Sequence, residues 1–600
     1  MIEQNEVVLR TGDGWMHYSN PQRVILAEQL RDVLPALREI EDRVNGDGWH
    51  AAGFLSYESA QAFDEAHRTK PAAGFPFLWF GLYPEPRLIS LPKPGSAKPA
   101  LTWTPTIDRG TYNSAIDLIR DHIAQGRTYQ VNYTMRLTTE FASDPWNFFL
   151  HLAQAQNSHA AYIDTGRYVI CSASPELFFH LDGETISCRP MKGTTRRGRT
   201  TREDLEQAEW LRISEKNRAE NVMIVDMIRN DLGRIAKTGS VHVPELFTIE
   251  KYPTLWQMTS TVQAKTDSSL THIFQALFPC ASITGAPKVR TMQLISELET
   301  TPRKIYTGSI GFLAPNRKAS FNVVIRTALI DREAQLAEYG VGGGIVWDST
   351  SADEYEEALL KARVLTESSP EFSLFETMLW TPEEGFFLKE KHIARLLDSA
   401  SYFDIPISSQ LRWSSSPEPP KGASGVSRPP LPKEIIETYL HDISSQFTSP
   451  QRVRLLLDKH GNLSQEAKTF QTSEDHPPMK VCLAKEPIHS GNVFLYHKTT
   501  NREVYESARR DFPEFDDVLL YNEQNELTEF TIGNFVADLE GKLYTPPVSC
   551  GLLPGTFRGH LLETSQVEER IIRLEEIVAC SNIFLVNSVR KWQEVEFIKK

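Results

Sequence analysis

Lys192 stands between Met191 and Gly193-Thr194, with Arg196 and Arg197 close behind, near the end of the run CSASPELFFHLDGETISCRPMKGTTRRG over 171–198. A lysine is a nucleophile only when neutral, and neighbouring cations or a dry pocket lower its pKa toward that state. An arbitrary lysine is simply solvated, so the basic, Pro-framed setting matters. A second lysine, Lys498, lies in LYHKTTNREVY ahead of Asn501 and Arg502, and Glu529 and the pair Gly555-Thr556 follow it. Arg326 interrupts an apolar strand pattern, FNVVIRT, and a buried arginine needs an anionic partner. Gly342-Gly343-Gly344 lets the backbone approach a ligand closely. Ser282 and Thr284 precede Gly285 and Pro287 at a turn into a helix, whose backbone N–H groups suit a carboxylate. Their hydroxyls serve equally as helix caps. Three glutamates complete the set. Glu220 sits four residues after Lys216, and Glu354 and Glu357 lie on one face of a helix with Lys361. By themselves these spacings describe ordinary helix ion pairs.

The elements that must position these groups follow from periodicity. Apolar spacing predicts helices over Pro21–Asn45, Tyr112–Ile123, 214–234 (with Val222, Val225, Ile228 and Leu232 inward), Lys288–Leu298 and Ala352–Ala362. Leu177–His180 and Thr185–Cys188 read as a hairpin about Gly183 that runs into a turn with Lys192 at its tip. Tyr129–Leu137, Tyr306–Gly311 and Phe321–Thr327 read as strands, and 91–107 as a Pro-rich connector. After Ser368-Ser369-Pro370 the pattern changes. A strand over Phe372–Leu379 leads to the helix Lys391–Tyr402, then to 408–433, a low-complexity Ser/Pro-rich insertion. Structure resumes with a helix over Glu434–Phe447 and a strand over Arg452–Leu457, and Lys498 falls at a strand end before a helix.

Composition limits the function classes. The chain is 40% hydrophobic and 24% charged, as globular proteins are. A net charge of −14 argues against a nucleic-acid partner, and an anionic substrate must be drawn by local Lys, Arg or a metal ion. Six scattered cysteines without metal spacing read as reduced thiols of a cytoplasmic protein. The start MIEQNEVVLRTGDG lacks the regions of a signal peptide, and no run of 18 apolar residues occurs, so no membrane span is expected.

SPE followed by RPMKGT, together with GRTYQVNYT over 126–134, KNRAEN over 216–221 and the motifs at 282–287, 306–311 and 342–344, resembles the chorismate-utilising enzymes, specifically component I of aminodeoxychorismate synthase. The resemblance covers about 120–365 and implies an α+β fold, an anthranilate synthase component I-like β-sandwich with helices over 1–368. It makes Lys192 the active-site lysine, where anthranilate synthases typically have alanine. Glu220 and Glu357 become ligands of Mg²⁺ with Glu354 nearby, and Asn217 a contributor behind them rather than a ligand. Ser282, Thr284, Tyr306, Arg326, Gly342, Gly343 and Gly344 become substrate-binding residues. Gln257 stands where anthranilate synthase has a histidine, which again points away from anthranilate. No tryptophan-site motif is read in the opening region.

Residues 369–600 resemble the two-lobed fold type IV pyridoxal-phosphate enzymes, which include aminodeoxychorismate lyase and the D-amino-acid and branched-chain aminotransferases. That resemblance implies that Arg395, in HxxRL, contacts the cofactor phosphate and that Lys498 carries the cofactor. Tyr505 would meet the phenolic oxygen and Glu529 the ring nitrogen. Gly555, Thr556 and Ser588, the last beside Asn587, would form the phosphate side. Together the halves imply Mg²⁺-dependent amination of chorismate and removal of pyruvate to give 4-aminobenzoate for folate synthesis. A glutamine amidotransferase partner would supply ammonia, because none of the six cysteines has a GxCxGxQ setting. A homodimer through the second domain is the habit of its relatives. The alternatives are anthranilate synthase joined to an aminotransferase, or a non-catalytic second half.

Overall fold

The computed structural model describes residues 2–95, 101–155, 159–362, 365, 370–407, 431–471 and 477–599. Most of the low-complexity insertion, 408–430, lies outside the described residues. The chain forms two compact units: Met1–Arg196 with Ala208–Ser369, and Arg197–Gln207 with Pro370–Lys600.

The first unit is built on two antiparallel sheets, each of ten strands among the described residues. One sheet carries Gln130–Glu140 paired along its length with Leu336–Ile345. The other carries Met191–Arg196 beside Leu255–Lys265, then Thr185–Arg189, Leu177–Asp182 and Lys318–Val323. His50–Leu55 shows how they stack. Ala52 and Phe54 pack with Val7, Ile163 and Ile170 of the opposite sheet, whereas Ala51 and Leu55 pack under helices. Strands buried on both faces read as apolar runs rather than alternations. Helices cover both outer faces. Leu30–Asp47, Glu215–Gly233 and Leu270–Leu277 lie on one; Arg109–Ala124, Lys288–Leu298 and Ser351–Ala362 lie on the other.

Several local expectations need correction. The helix foreseen from Pro21 starts only at Leu30, because Arg23–Ala27 is a strand paired with Leu78–Tyr83. β-Branched Val24 and Ile25 favour that extended form. Lys192 is not at a turn tip. It lies in the strand Met191–Arg196, whose register against Leu255–Lys265 slips between Met191 and Thr194, with Gly193 at φ +93°. Such a bulge re-aims a side chain. On Glu215–Gly233 the buried stripe holds Asn221, Ile224, Val225, Ile228 and Leu232, while Val222 is 40% exposed. Arg326 sits at φ +51° in the break between Lys318–Val323 and Thr327–Asp331, where the chain passes from one sheet to the other.

The second unit has two lobes. In the smaller, strands Leu374–Thr381, Gln451–Leu457 and Leu463–Thr469 pack on helices Lys389–Tyr402 and Pro432–Ser444. In the larger, Leu527–Phe530 pairs with both Asp517–Tyr521 and Asn534–Leu539, which closes a ring that also includes Met479–Leu483, Lys591–Phe597 and Asn582–Asn587. Val481, Leu519, Phe530, Phe535 and Leu585 fill it. Lys498 is not at a regular strand end. Its carbonyl accepts from Phe375 N at 3.0 Å, and Thr499 bridges Leu374 before the helix Glu503–Arg510 begins. Arg197–Gln207 joins this unit: Tyr402 Oη donates to the Gly198 carbonyl at 2.6 Å, and Arg199 Nη1 donates to Tyr496 Oη at 2.9 Å.

Candidate functional site

In the first unit the bulge at Gly193 points Lys192 into the fold. Asn221 Nδ2 donates to the Lys192 carbonyl at 3.2 Å and Gln257 Nε2 to the Gly193 carbonyl at 2.9 Å, so both bulge carbonyls are tied down. Burial pulls the Lys192 amine below its ordinary pKa; Glu220, Glu176 and Glu357 oppose this, and Lys361 reinforces it. A methyl group built on Gly344 would come within 3.0 Å of Lys192 Nζ and 2.2 Å of Gln130 Nε2. Gly344 is therefore glycine so that two side chains can cross its face. Gln130 is buried, and neither its Nε2 nor its Oε1 has a hydrogen-bond partner among the described residues.

Glu176, of the SPE triplet, was not singled out from the sequence. It is 4% exposed, and burial pushes its carboxyl up to about 7 despite the hydrogen bond from Ser282 and the Lys192 charge. Ser282 Oγ donates to Glu176 Oε1 at 2.6 Å. The only signal in the sequence was a glutamate leading directly into apolar Leu177–Phe179.

The expected substrate contacts divide. Arg326 makes no hydrogen bond or ion pair with its guanidinium among the described residues, and burial lowers its pKa, so it is a cation lacking an anion. The Tyr306 ring lies under Arg136, 4.9 Å away. Thr284 Oγ1 donates to the Cys280 carbonyl at 2.9 Å and closes its own turn, whereas the Ser282 hydroxyl is engaged with Glu176 from a distant part of the chain. Gly342 packs on the Tyr133 carbonyl, and Gly343 faces Glu354.

Glu354 accepts from Ser349 Oγ at 2.6 Å, and Glu357 pairs with Lys361 at 2.7 Å. Among the described residues no three His, Cys, Asp or Glu side chains gather into a metal-binding group. The three glutamates expected around one ion are thus not one cluster. Glu220 and Glu357 both act on the Lys192 charge, whereas Glu354 is committed to Ser349. One or two carboxylates with substrate oxygens and water suffice for Mg²⁺, so the donor chemistry of Glu220 and Glu357 fits that ion.

In the second unit Arg395, Lys498, Tyr505, Glu529, Gly555, Thr556 and Ser588 all line one cavity of about 460 Å³. Lys498 Nζ lies 4.8 Å from the centre of the Phe375 ring, and burial, helped by Arg395, lowers its pKa to about 7. Burial raises Glu529 to about 7. Its Oε1 accepts from Tyr505 Oη at 2.8 Å and Leu553 N at 3.1 Å, and its Oε2 from Asn534 Nδ2 at 3.2 Å. Tyr505, expected at the phenolic oxygen, is here bonded to Glu529, and Asn534 was not foreseen. Ser588 Oγ donates to the Thr377 carbonyl at 3.2 Å. An amine, a buried carboxyl, a guanidinium and a helix beginning at Thr556 are the donors that pyridoxal phosphate takes for its carbonyl carbon, ring nitrogen and phosphate. The residues present fit that group.

The profile of the chorismate binding enzyme family matches residues 5–367, more than half of the chain. The chain belongs to that family. This chorismate binding enzyme also carries a match to the class IV amino-transferases over 373–598, a fold that implies pyridoxal phosphate. It is 41% identical to aminodeoxychorismate synthase component 1 of Bacillus subtilis (strain 168) over 254 residues, 42% of this chain and 54% of that one. With the chloroplastic aminodeoxychorismate synthase of Arabidopsis thaliana it shares 38% identity over 290 residues, 47% of this chain and 31% of that one. It therefore spans from under a third to about half of the length of these relatives. Anthranilate synthase component I from Streptococcus pneumoniae TIGR4 superposes with a TM-score of 0.53 at 25% identity, covering 61% of this chain and 93% of that one. The first domain of this chorismate binding enzyme is thus anthranilate synthase component I-like, and the second class IV aminotransferase-like. No helix among the described residues is long and apolar enough to cross a membrane.

Proposed function

We propose that the chain makes 4-aminobenzoate from chorismate in two steps, amination to 4-amino-4-deoxychorismate in the first domain (1–368) and elimination of pyruvate in the second (369–600). The observation that carries the first step is the meeting of a half-buried, pKa-lowered Lys192 with a Glu176 whose carboxyl, pushed up to about 7, is still partly protonated at neutrality. Lys192 Nζ forms a bond to the ring while the C4–O bond breaks, and Glu176 delivers the proton that lets the oxygen leave as water. The ammonium nitrogen on Lys192 returns a proton to Glu176. Ammonia then bonds to C4 as the carbon–nitrogen bond to Lys192 breaks. Glu176 gives its proton to the departing amine, the new ammonium group at C4 returns one to Glu176, and the lysine leaves unchanged. Arg326 is the cation for a substrate carboxylate. Glu220 and Glu357 would hold Mg²⁺, which would polarise and orient the other carboxylate.

For the second step, Lys498 would hold pyridoxal phosphate, with Glu529 at the ring nitrogen and Arg395, Thr556 and Ser588 toward the phosphate. When bound, that cofactor supplies an electron sink for the negative charge that forms as the substrate loses pyruvate. With a pKa near 7, Lys498 can take a proton from one atom of the substrate and return it to another. Glu529 and its three donors keep the ring end fixed. The sequential fit of the two reactions favours a lyase over an aminotransferase in the second unit.

Ammonia would come from a separate glutamine amidotransferase. Burial raises the Cys171 and Cys188 thiols well above their ordinary value, Cys280 and Cys550 to about 12 and Cys580 to about 11, so none of these is a ready thiolate nucleophile. The deciding experiment incubates the protein with chorismate, ammonium, Mg²⁺ and pyridoxal phosphate and identifies the aromatic product. 4-Aminobenzoate is expected; anthranilate overturns the reading.

A further inference from the structure

The sequence HIARL suggested Arg395 alone. The structure adds a carboxylate beneath it. Glu376 lies in the strand Leu374–Thr381, is 1% exposed, and faces the helix Lys389–Tyr402. Its Oε1 accepts from Arg395 Nε at 2.9 Å, and its Oε2 from Arg395 Nη2 and His392 Nδ1, each at 2.6 Å. Burial alone would raise its pKa, but the Arg395 charge and the His392 hydrogen bond reverse that and hold it at about 2. An ionised carboxylate only accepts, so His392 carries its proton on Nδ1. Burial keeps the imidazole neutral, which leaves Nε2 to accept from Thr556 Oγ1 at 3.2 Å. Arg395 spends a third N–H on the Pro554 carbonyl, at 3.0 Å. Of five guanidinium N–H groups, two remain for an anion.

We propose that Glu376 and His392 are positioning residues for the phosphate of the cofactor: one buried carboxylate fixes the Arg395 fork directly and, through the His392 ring, the Thr556 side chain at the start of the helix Thr556–Glu563. The guanidinium and the helix start are thereby set as one rigid anion cradle, because both hang from the same two carboxylate oxygens. This rests on the pyridoxal-phosphate reading of the second unit. A buried charge cluster could instead serve only to hold the lobe together, although such clusters often add little net stability. The two roles separate on ligand chemistry, because pyridoxal has the ring and carbonyl of the cofactor but no phosphate.

The full chain, stripped of cofactor, is titrated with pyridoxal phosphate and with pyridoxal by equilibrium dialysis, and the ratio of the two dissociation constants is compared among variants. Glu376→Gln is expected to weaken pyridoxal phosphate by about tenfold while leaving pyridoxal unchanged, so the ratio collapses. His392→Gln keeps a donor for Glu376 but cannot bridge to Thr556, and should lower the ratio by about threefold; it decides the matter alone if the first variant does not fold. A folded variant of either kind with the parent ratio, or with both ligands weakened equally, overturns the proposal. A parent chain that binds neither ligand overturns the cofactor reading instead.

Discussion

At the scale of single residues, the proposed first reaction hangs on an amine and a carboxyl whose pKa values burial drives toward each other. Lys192→Ala should abolish aminodeoxychorismate formation from chorismate and ammonium, with an unchanged melting curve; wild-type turnover in that variant would rule out the covalent role. Glu176 sharpens the test through pH. Its carboxyl is raised from the ordinary range to about 7, so its acid form is present below neutrality and is lost as pH rises through about 7. The amination rate should decline on that alkaline limb, and Glu176→Gln should be slower by about 10²-fold or more with the limb gone. A limb that survives in the variant assigns it to another group. In the second unit, Lys498→Ala should let aminodeoxychorismate accumulate while amination continues, read by chromatography of the reaction mixture. If the parent converts free amino acids to keto acids and leaves aminodeoxychorismate untouched, the second unit is an aminotransferase. What was legible at this scale was basic context: Lys192 has two arginines close behind it, and Lys498 has Arg502. Glu176 and Glu376 escaped notice because a carboxylate acquires meaning only from what buries it, and neither Ser282 nor His392 is near them in sequence.

At the scale of elements, the strand Leu336–Ile345 does more than pair with Gln130–Glu140. Gly344 leaves the space that the ends of Lys192 and Gln130 occupy beside it. Gly344→Ala should therefore strip most amination activity, with a cost in folding of about 1–3 kcal/mol from overpacking, measured by denaturant melts. A variant with full activity would mean the amine does not need that gap. Periodicity found most helices here, and Lys288–Leu298 matches its sequence expectation end to end. It failed where tertiary pairing decides. Arg23–Ala27 became a strand because Leu78–Tyr83 lies beside it, and Lys192 moved from an imagined turn to a bulge because its partner strand begins at Leu255, more than sixty residues away. Val222 and Asn221 exchanged places for a polar reason. The helix turns Asn221 inward so that it can hold the Lys192 carbonyl and accept from Ser260 Oγ at 2.6 Å.

At the scale of the whole molecule, the expected economy is one chain that consumes ammonia but does not make it. The purified protein should form product with ammonium and should use glutamine only when an amidotransferase is added, as followed by glutamate release. Robust glutamine turnover by the chain alone would contradict the partner. The sequence showed two successive motif sets with a change of pattern near 370, yet it gave no hint that Arg197–Gln207 would pack with Tyr402 and Tyr496. Nothing in an eleven-residue stretch rich in Arg, Glu and Thr announces its neighbours.

That excursion bears on how the protein emerges from the ribosome. When Arg197–Gln207 leaves the exit tunnel, the residues it will pack against have not been made. At about 5–20 residues per second, Tyr402 follows some 10–40 s later and Tyr496 later still. During that interval the newborn sandwich must carry, only a few residues downstream of Lys192, a segment that leads into the helix Thr201–Ile213 and lacks its partners. Synthesis of the second half is therefore also the last act in folding the first sequence block, and a ribosome that pauses between them prolongs the exposure of that segment to proteases.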